Sequence, residues 1–116
     1  LVVDDDPLAR ELLLEMLPNS YAIDTARNVE ETLSLAETTA YEVVLLDINL
    51  KDRLDGVELQ ERLRAMETVE DALIVAITAY AQEGDGEHFH ASGFDGYVPK
   101  PFTRDILFEN LIQILE

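Results

Sequence analysis

Short apolar runs alternate with stretches in which apolar residues recur about every three or four positions, and the alternation continues along the whole chain. Leu1 to Val3 form an apolar run that stops at Asp4-Asp5-Asp6. Pro7 suits the first position of a helix and Asp6 its N-cap. Ala9, Leu12, Leu13, Met16 and Leu17 then follow with helical spacing, until Pro18-Asn19-Ser20 breaks the pattern. Tyr21 to Ala26 reads as a short strand. Asn28 with Glu31 has the spacing of a capping box, ahead of an apolar face of Val29, Leu33 and Ala36. Val43 to Leu46 is a continuous apolar run ending in Asp47, as expected of a strand covered on both faces. A polar loop, Lys51 to Asp55, leads to Gly56 and a helix carrying Leu59, Leu63 and Met66. Leu73 to Ile77 is a second buried strand, ending at Thr78. Ala81 to Ala91 forms a weaker, glycine-interrupted helix closed by Ser92-Gly93, and Tyr97-Val98 is the last strand. Pro99-Lys100-Pro101 is a rigid turn. Thr103 can cap a final helix whose expected core face is Ile106, Leu107, Leu111 and Ile114.

Five strands alternating with five helices predict an α/β fold, a doubly wound parallel sheet with helices on both faces, as one domain over residues 1–116. No repeat, low-complexity segment or second domain interrupts it. Leu1 stands inside an expected strand, so further residues are expected before it in the natural chain. Hydrophobic residues at 47% and charged residues at 28% place the chain among globular proteins and not disordered ones. No apolar run is long enough to cross a bilayer and none reads as a signal peptide, so a membrane role is not expected. Cysteine is absent, which excludes disulfides, a thiolate nucleophile and a cysteine zinc site, and is compatible with the cytoplasmic location expected here. The formal net charge of −17 repels nucleic acid and anionic lipid, so no direct nucleic-acid binding is expected. Many carboxylates with few lysines also resemble halophile surfaces, although an ordinary acidic bacterial surface accounts for them as well.

In open α/β sheets function sits at the carboxyl ends of the strands. Those positions here hold Asp4 and Asp5, then Asp47, Thr78 and Lys100: three carboxylates, a hydroxyl and an ammonium. Carboxylates brought together need a counter-charge, and a hard divalent cation, Mg²⁺ (or Mn²⁺), supplies one through oxygen ligands. Positioning and charge neutralisation are what phosphoryl transfer to an aspartate nucleophile requires.

Val3-Asp4-Asp5-Asp6-Pro7, Leu45-Leu46-Asp47-Ile48-Asn49-Leu50, Asp55-Gly56, Ile77-Thr78-Ala79 and Tyr97-Val98-Pro99-Lys100-Pro101-Phe102 resemble, in order and from end to end, the response-regulator receiver family of two-component signalling. The resemblance implies a flavodoxin-like sheet of order 2-1-3-4-5. It implies that Asp47 takes a phosphoryl group from a phosphohistidine on a histidine kinase or histidine phosphotransfer protein. Asp5 would then ligate Mg²⁺ directly, Asp4 largely through water, and Asn49 through its backbone carbonyl. Thr78 would bond the phosphoryl group, Lys100 would pair with Asp47 or its phosphate, and Tyr97 would be the switch aromatic. Such a domain is no enzyme in the ordinary sense; it assists only its own phosphorylation and autodephosphorylation. Tyr80, two residues past Thr78, would shield the acyl phosphate from water. Two departures stand out: Lys51 occupies a place where many receivers have proline, and the loop to Asp55-Gly56 is one residue longer than the commonest form.

Rival readings carry less of the pattern. An aspartate-nucleophile phosphatase needs a second acid two residues past the nucleophile, where this chain has Asn49. A receiver-like module that never takes phosphate usually lacks part of the acid pair, the acceptor or the lysine, and all are present. A flavin site lacks a phosphate-cradling loop after the first strand. Taken alone, Asp4-Asp5-Asp6 is a solvated turn, and Tyr97 a packed aromatic. His88 and His90 do not share a helical face and are read as surface residues. For partners, Leu8, Leu12 and Leu14 widen the first helix's apolar stripe and, with Pro101 and Phe102, are the expected docking surface for the phosphoryl donor. Phe108 and Ile112 lie outside the expected core arc of the final helix. They mark a candidate homodimer face together with the fourth helix and last strand.

Overall fold

The computed structural model describes residues 1–17, 22–48, 56–78, 93–99 and 103–115, with the backbone alone at 110 and 112–115. In chain order the elements are β1 (Val2–Val3), α1 (Pro7–Met16), β2 (Thr25–Ala26), α2 (Val29–Thr38), β3 (Val43–Asp47), α3 (Gly56–Arg64), β4 (Leu73–Thr78), β5 (Gly96–Pro99) and the final helix, α4 (Arg104–Leu115). The helix expected over Ala81 to Ala91 lies outside the described residues. All strand pairs are parallel, and the sheet order is β2-β1-β3-β4-β5, as the family resemblance implied.

Alternation along the strands builds two cores. Val44 and Leu46 of β3 join Val29 and Ala36 of α2 and Leu59 and Leu63 of α3 on one face of the sheet. Leu45, between them in sequence, points to the other face and meets Leu13 and Leu17 of the first-helix region with Leu107 and Leu111 of α4. Both faces are therefore covered, and that is why the central strands read as unbroken apolar runs.

Local chemistry fixes the helix ends. Asp6 Oδ1 accepts from the Leu8 N–H at 3.0 Å, and Pro7 follows it at the first helical position. Asn28 Oδ1 accepts from the Glu31 N–H at 2.8 Å. Glu31 does not close the box on Asn28; its carboxylate reaches one residue further back, to the backbone N–H and the Nε of Arg27, both at 3.0 Å. Those bonds hold the Glu31 carboxyl below the usual carboxylate range, the Arg27 backbone N–H contributing most. Thr103 Oγ1 accepts from the Ile106 N–H at 3.2 Å and caps α4.

Two expectations are corrected. Of the strand read over Tyr21 to Ala26, Tyr21 lies outside the described residues, and within 22–26 only Thr25–Ala26 is strand. Its partner β1 is two residues long, and a ladder extends no further than both strands allow. On α4, Ile106 is 40% exposed, while Phe108 is half-buried and packs on the core shared by Leu13, Leu17 and Leu107. At about 100° per residue, Phe108 lies roughly 60° from Leu111 and Ile106 roughly 140° from it, so the arc that faces the sheet takes in Phe108 and leaves Ile106 out. Phe108 therefore does not form the exposed patch that its position outside the expected arc suggested, and the side chain of Ile112 lies outside the described residues. Arg104 donates to the Glu15 carbonyl at 2.9 Å, which turns the Arg104–Phe108 flank of α4 toward α1. Ile106, on the opposite flank, is exposed.

Candidate functional site

Strand register assembles the site. Val3 pairs with Leu46, so the next residues, Asp4 and Asp47, emerge side by side from β1 and β3. Asp47 pairs with Ile77, and Thr78 is the residue after it on β4. Thr78 in turn pairs with Pro99 on β5, two residues past Tyr97. Asp4 (1% exposed), Asp47 (5%) and Thr78 (2%) are buried, whereas Asp5 is exposed.

Carboxylate oxygens of Asp4, Asp5 and Asp47 all lie within 4.8 Å of one another. Two bare unit charges at that separation would repel by roughly 3 kcal/mol at an effective dielectric of about 20. Three oxygen donors of like charge in one pocket suit a hard divalent cation, which favours carboxylates and keeps waters in its remaining positions. The donor set therefore fits Mg²⁺.

The turn that carries the acid pair is held at several points. The Asp4 N–H donates to the Ala26 carbonyl at 3.0 Å, which continues the β1–β2 ladder. Asp4 Oδ1 accepts from the Asp6 N–H at 2.9 Å, and the Asp4 carbonyl accepts from Arg10 Nη1 at 2.7 Å. After Asp47 the Ile48 N–H donates to the Ile77 carbonyl at 3.0 Å, fixing the chain just beyond β3. A Cβ added at Gly56 would come within 2.6 Å of the Ile48 Cα and 3.0 Å of the Asp47 carbonyl oxygen, so only glycine lets α3 start against the backbone at the end of β3.

Of the other residues singled out from sequence, Tyr97 is half-buried on β5 and packs on the α2–α3 side of the sheet. Leu8 is 62% exposed and Leu12 is exposed on α1, on the side away from the core residues Leu13 and Leu17. Asn49, Tyr80, Lys100, Pro101 and Phe102 lie outside the described residues. Sequence reasoning missed Arg10, whose bond to Asp4 spans six positions and leaves no motif.

Residues 1–112 match the family model of the response regulator receiver domain. The chain belongs to the response regulator receiver family. A receiver relative, response regulator MprA of Mycolicibacterium vanbaalenii, is 34% identical over 116 residues, 99% of this chain and 49% of that protein. The chain thus spans about half the length of that regulator. An uncharacterized 14.6 kDa protein of Leptolyngbya boryana is 42% identical over 102 residues, 87% of this chain and 77% of that protein. Among solved structures, the receiver domain of a sensor histidine kinase from Pseudomonas aeruginosa PAO1 superposes with a TM-score of 0.83 at 30% identity, over 99% of this chain and 95% of that one. That structure holds a magnesium ion in its active-site cleft. Receivers of this family bind Mg²⁺ at an acidic pocket and take phosphoryl groups from histidine kinases in two-component signal transduction. No helix among the described residues is long and apolar enough to cross a membrane.

Proposed function

We propose that Asp47 is the phosphoacceptor of this receiver, and that the gathering of Asp4, Asp5 and Asp47 within 4.8 Å is the observation that carries the assignment. A carboxylate oxygen of Asp47 attacks the phosphorus of a phosphohistidine. The O–P bond forms as the N–P bond breaks, and the imidazole leaves with the bonding electron pair. Asp47 is suited to this because its strand end is buried and its backbone is fixed by the Ile48–Ile77 bond.

Mg²⁺, or Mn²⁺, would be held directly by Asp5 and Asp47, largely through water by Asp4, and by the Asn49 carbonyl; bound there, it neutralises charge on the phosphoryl oxygens. Thr78, buried one strand away, donates its hydroxyl to a phosphoryl oxygen, and Lys100 contributes a fixed positive charge. Tyr97 reports the change along β5. The chain assists its own phosphorylation and autodephosphorylation and turns over no other substrate, with the Tyr80 ring set to slow loss of the acyl phosphate.

The phosphoryl donor is a histidine kinase or phosphotransfer protein that docks on Leu8 and Leu12 of α1, beside Pro101 and Phe102. The exposure of both leucines supports this. A phosphorylation-promoted homodimer uses the face of β5 and α4 with the helix expected before β5. Ile106 replaces Phe108 as its exposed apolar contact. A cytoplasmic site of action follows from such donors.

Intact mass after treatment with acetyl phosphate and Mg²⁺ tests the central assignment. The wild type should gain a single phosphoryl group that is lost when Mg²⁺ is chelated during the reaction. Labelling of Asp47→Asn to the same extent would refute the acceptor.

A further inference from the structure

We infer that Arg10 is a positioning residue for the cation pocket: its guanidinium fixes the backbone of Asp4, so that the acid pair is set before the cation arrives. The inference rests on the reading of Asp4, Asp5 and Asp47 as the Mg²⁺ site. Arg10 lies on the second turn of α1, toward the amino end, where the helix dipole disfavours a cation. It reaches back over the helix start to the Asp4 carbonyl at 2.7 Å. Asp4 is thereby held at three points or more among the described residues: its N–H on the Ala26 carbonyl, its Oδ1 on the Asp6 N–H, and its carbonyl on Arg10. The first two bonds belong to the sheet and to the turn itself. Arg10 is a clamp supplied by a side chain from outside that turn.

The sign of the effect separates two roles. A guanidinium acting only through its charge would repel a second cation, and its removal would tighten Mg²⁺ binding. A guanidinium acting through the carbonyl preorganises the ligands, and its removal weakens binding. Geometry favours the second role. The contact is a direct hydrogen bond to the backbone of a residue in the carboxylate cluster. Residues that orient metal ligands from behind typically change affinity by about 10–100-fold when removed.

Calorimetric titration of the whole chain with Mg²⁺ alone tests this in the wild type, Arg10→Met, Arg10→Lys and Asp5→Asn. Methionine keeps the apolar stem and the helix propensity while deleting the donors. The expected result is binding weakened about 10-fold in Arg10→Met and largely restored in Arg10→Lys, with faster amide exchange at Asp6 in Arg10→Met. The urea midpoint of the cation-free protein identifies any loss that comes from unfolding, and restoration by lysine is what a purely structural role would not produce. Unchanged or tighter binding by Arg10→Met, with Asp5→Asn impaired, overturns the role of Arg10 and leaves the site intact. Equal binding by the wild type and Asp5→Asn overturns the site reading and the inference with it.

Discussion

At the carboxyl ends of the strands like charges are drawn together, and at the amino ends opposite charges are. Asp4, Asp5 and Asp47 share one pocket at the first end. At the other, Arg64 on the last turn of α3 bonds Asp95 at 2.5 Å and the carbonyls of Ala72, Glu70 and Gly93 at 2.5, 3.2 and 3.2 Å. The same Asp95 oxygen accepts from the Ile74 N–H at 2.8 Å, and Tyr41 donates to Asp24 at 2.6 Å. One end is a set of closed contacts that tie α3 to the entries of β4 and β5. The other gathers three carboxylates, a donor set that suits a cation. The contrast separates two uses of charge: side chains at the amino end hold the sheet together, and those at the carboxyl end gather the oxygens on which the proposed function rests.

Substitutions at the two ends should therefore act with different signs. The largest effect is expected from Arg64→Ala, which leaves Asp95 half-buried without its guanidinium and strips three carbonyls of a donor. A loss of about 2–4 kcal/mol is expected in urea unfolding, with Mg²⁺ affinity unchanged. Gly56→Ala should follow, at about 1–3 kcal/mol, because the new methyl meets backbone that cannot move aside. Unlike Arg64→Ala it should also impair phosphorylation, since the strain falls on Ile48 and the Asp47 carbonyl; normal labelling of a destabilised Gly56→Ala would blur the division between the ends. Asp5→Asn is expected to do the reverse. It should raise the urea midpoint slightly in EDTA and abolish most of the stabilisation that Mg²⁺ gives the wild type. A fall in EDTA would mean that the carboxylates do not repel.

The smallest effect concerns pH. Burial of the Tyr41 phenol, reinforced by its bond to Asp24, pushes its pKa from 10.0 up to about 12. The folded state then holds the phenol proton more tightly than the unfolded chain does. The contribution is full below pH 10 and is lost as pH rises toward 12. The stability gap between the wild type and Tyr41→Phe should narrow across that window, and a constant gap would remove Tyr41 from the amino-end contacts.

The two ends were not equally legible in the sequence. Strand-end chemistry at the carboxyl side is written locally: an apolar run stops at Asp4, at Asp47 and at Thr78, and parallel topology does the rest. The helix starts at Asp6, Asn28 and Thr103 were readable for the same reason, since each cap bonds within its own turn. The amino-end contacts that reach the β5 entry span 29 to 31 positions from Arg64 and 33 from Gln60 to Gly93, and nothing in the residues alone pairs them. Glu31 kept its spacing from Asn28 but chose Arg27 as the donor, a choice made by the path of the chain before the helix. On α4 seven of the twelve residues are apolar, and periodicity could not say which flank turned inward. Packing against Leu13 and Leu17 selected Phe108 over Ile106.

The strand register has a consequence for signal fidelity. The pocket has no continuous stretch of chain of its own; it exists only where β1 and β3 align Val3 with Leu46 and where β3 and β4 align Asp47 with Ile77. A slip of one residue on β1 would turn every side chain of that strand to the opposite face and carry the acid pair away from Asp47. On the proposed reading of Asp47, a misassembled copy would lack the acid pair beside its acceptor. The topology works as a proofreading step: a molecule must fold correctly before it can be addressed, and its errors are silent instead of being read as messages.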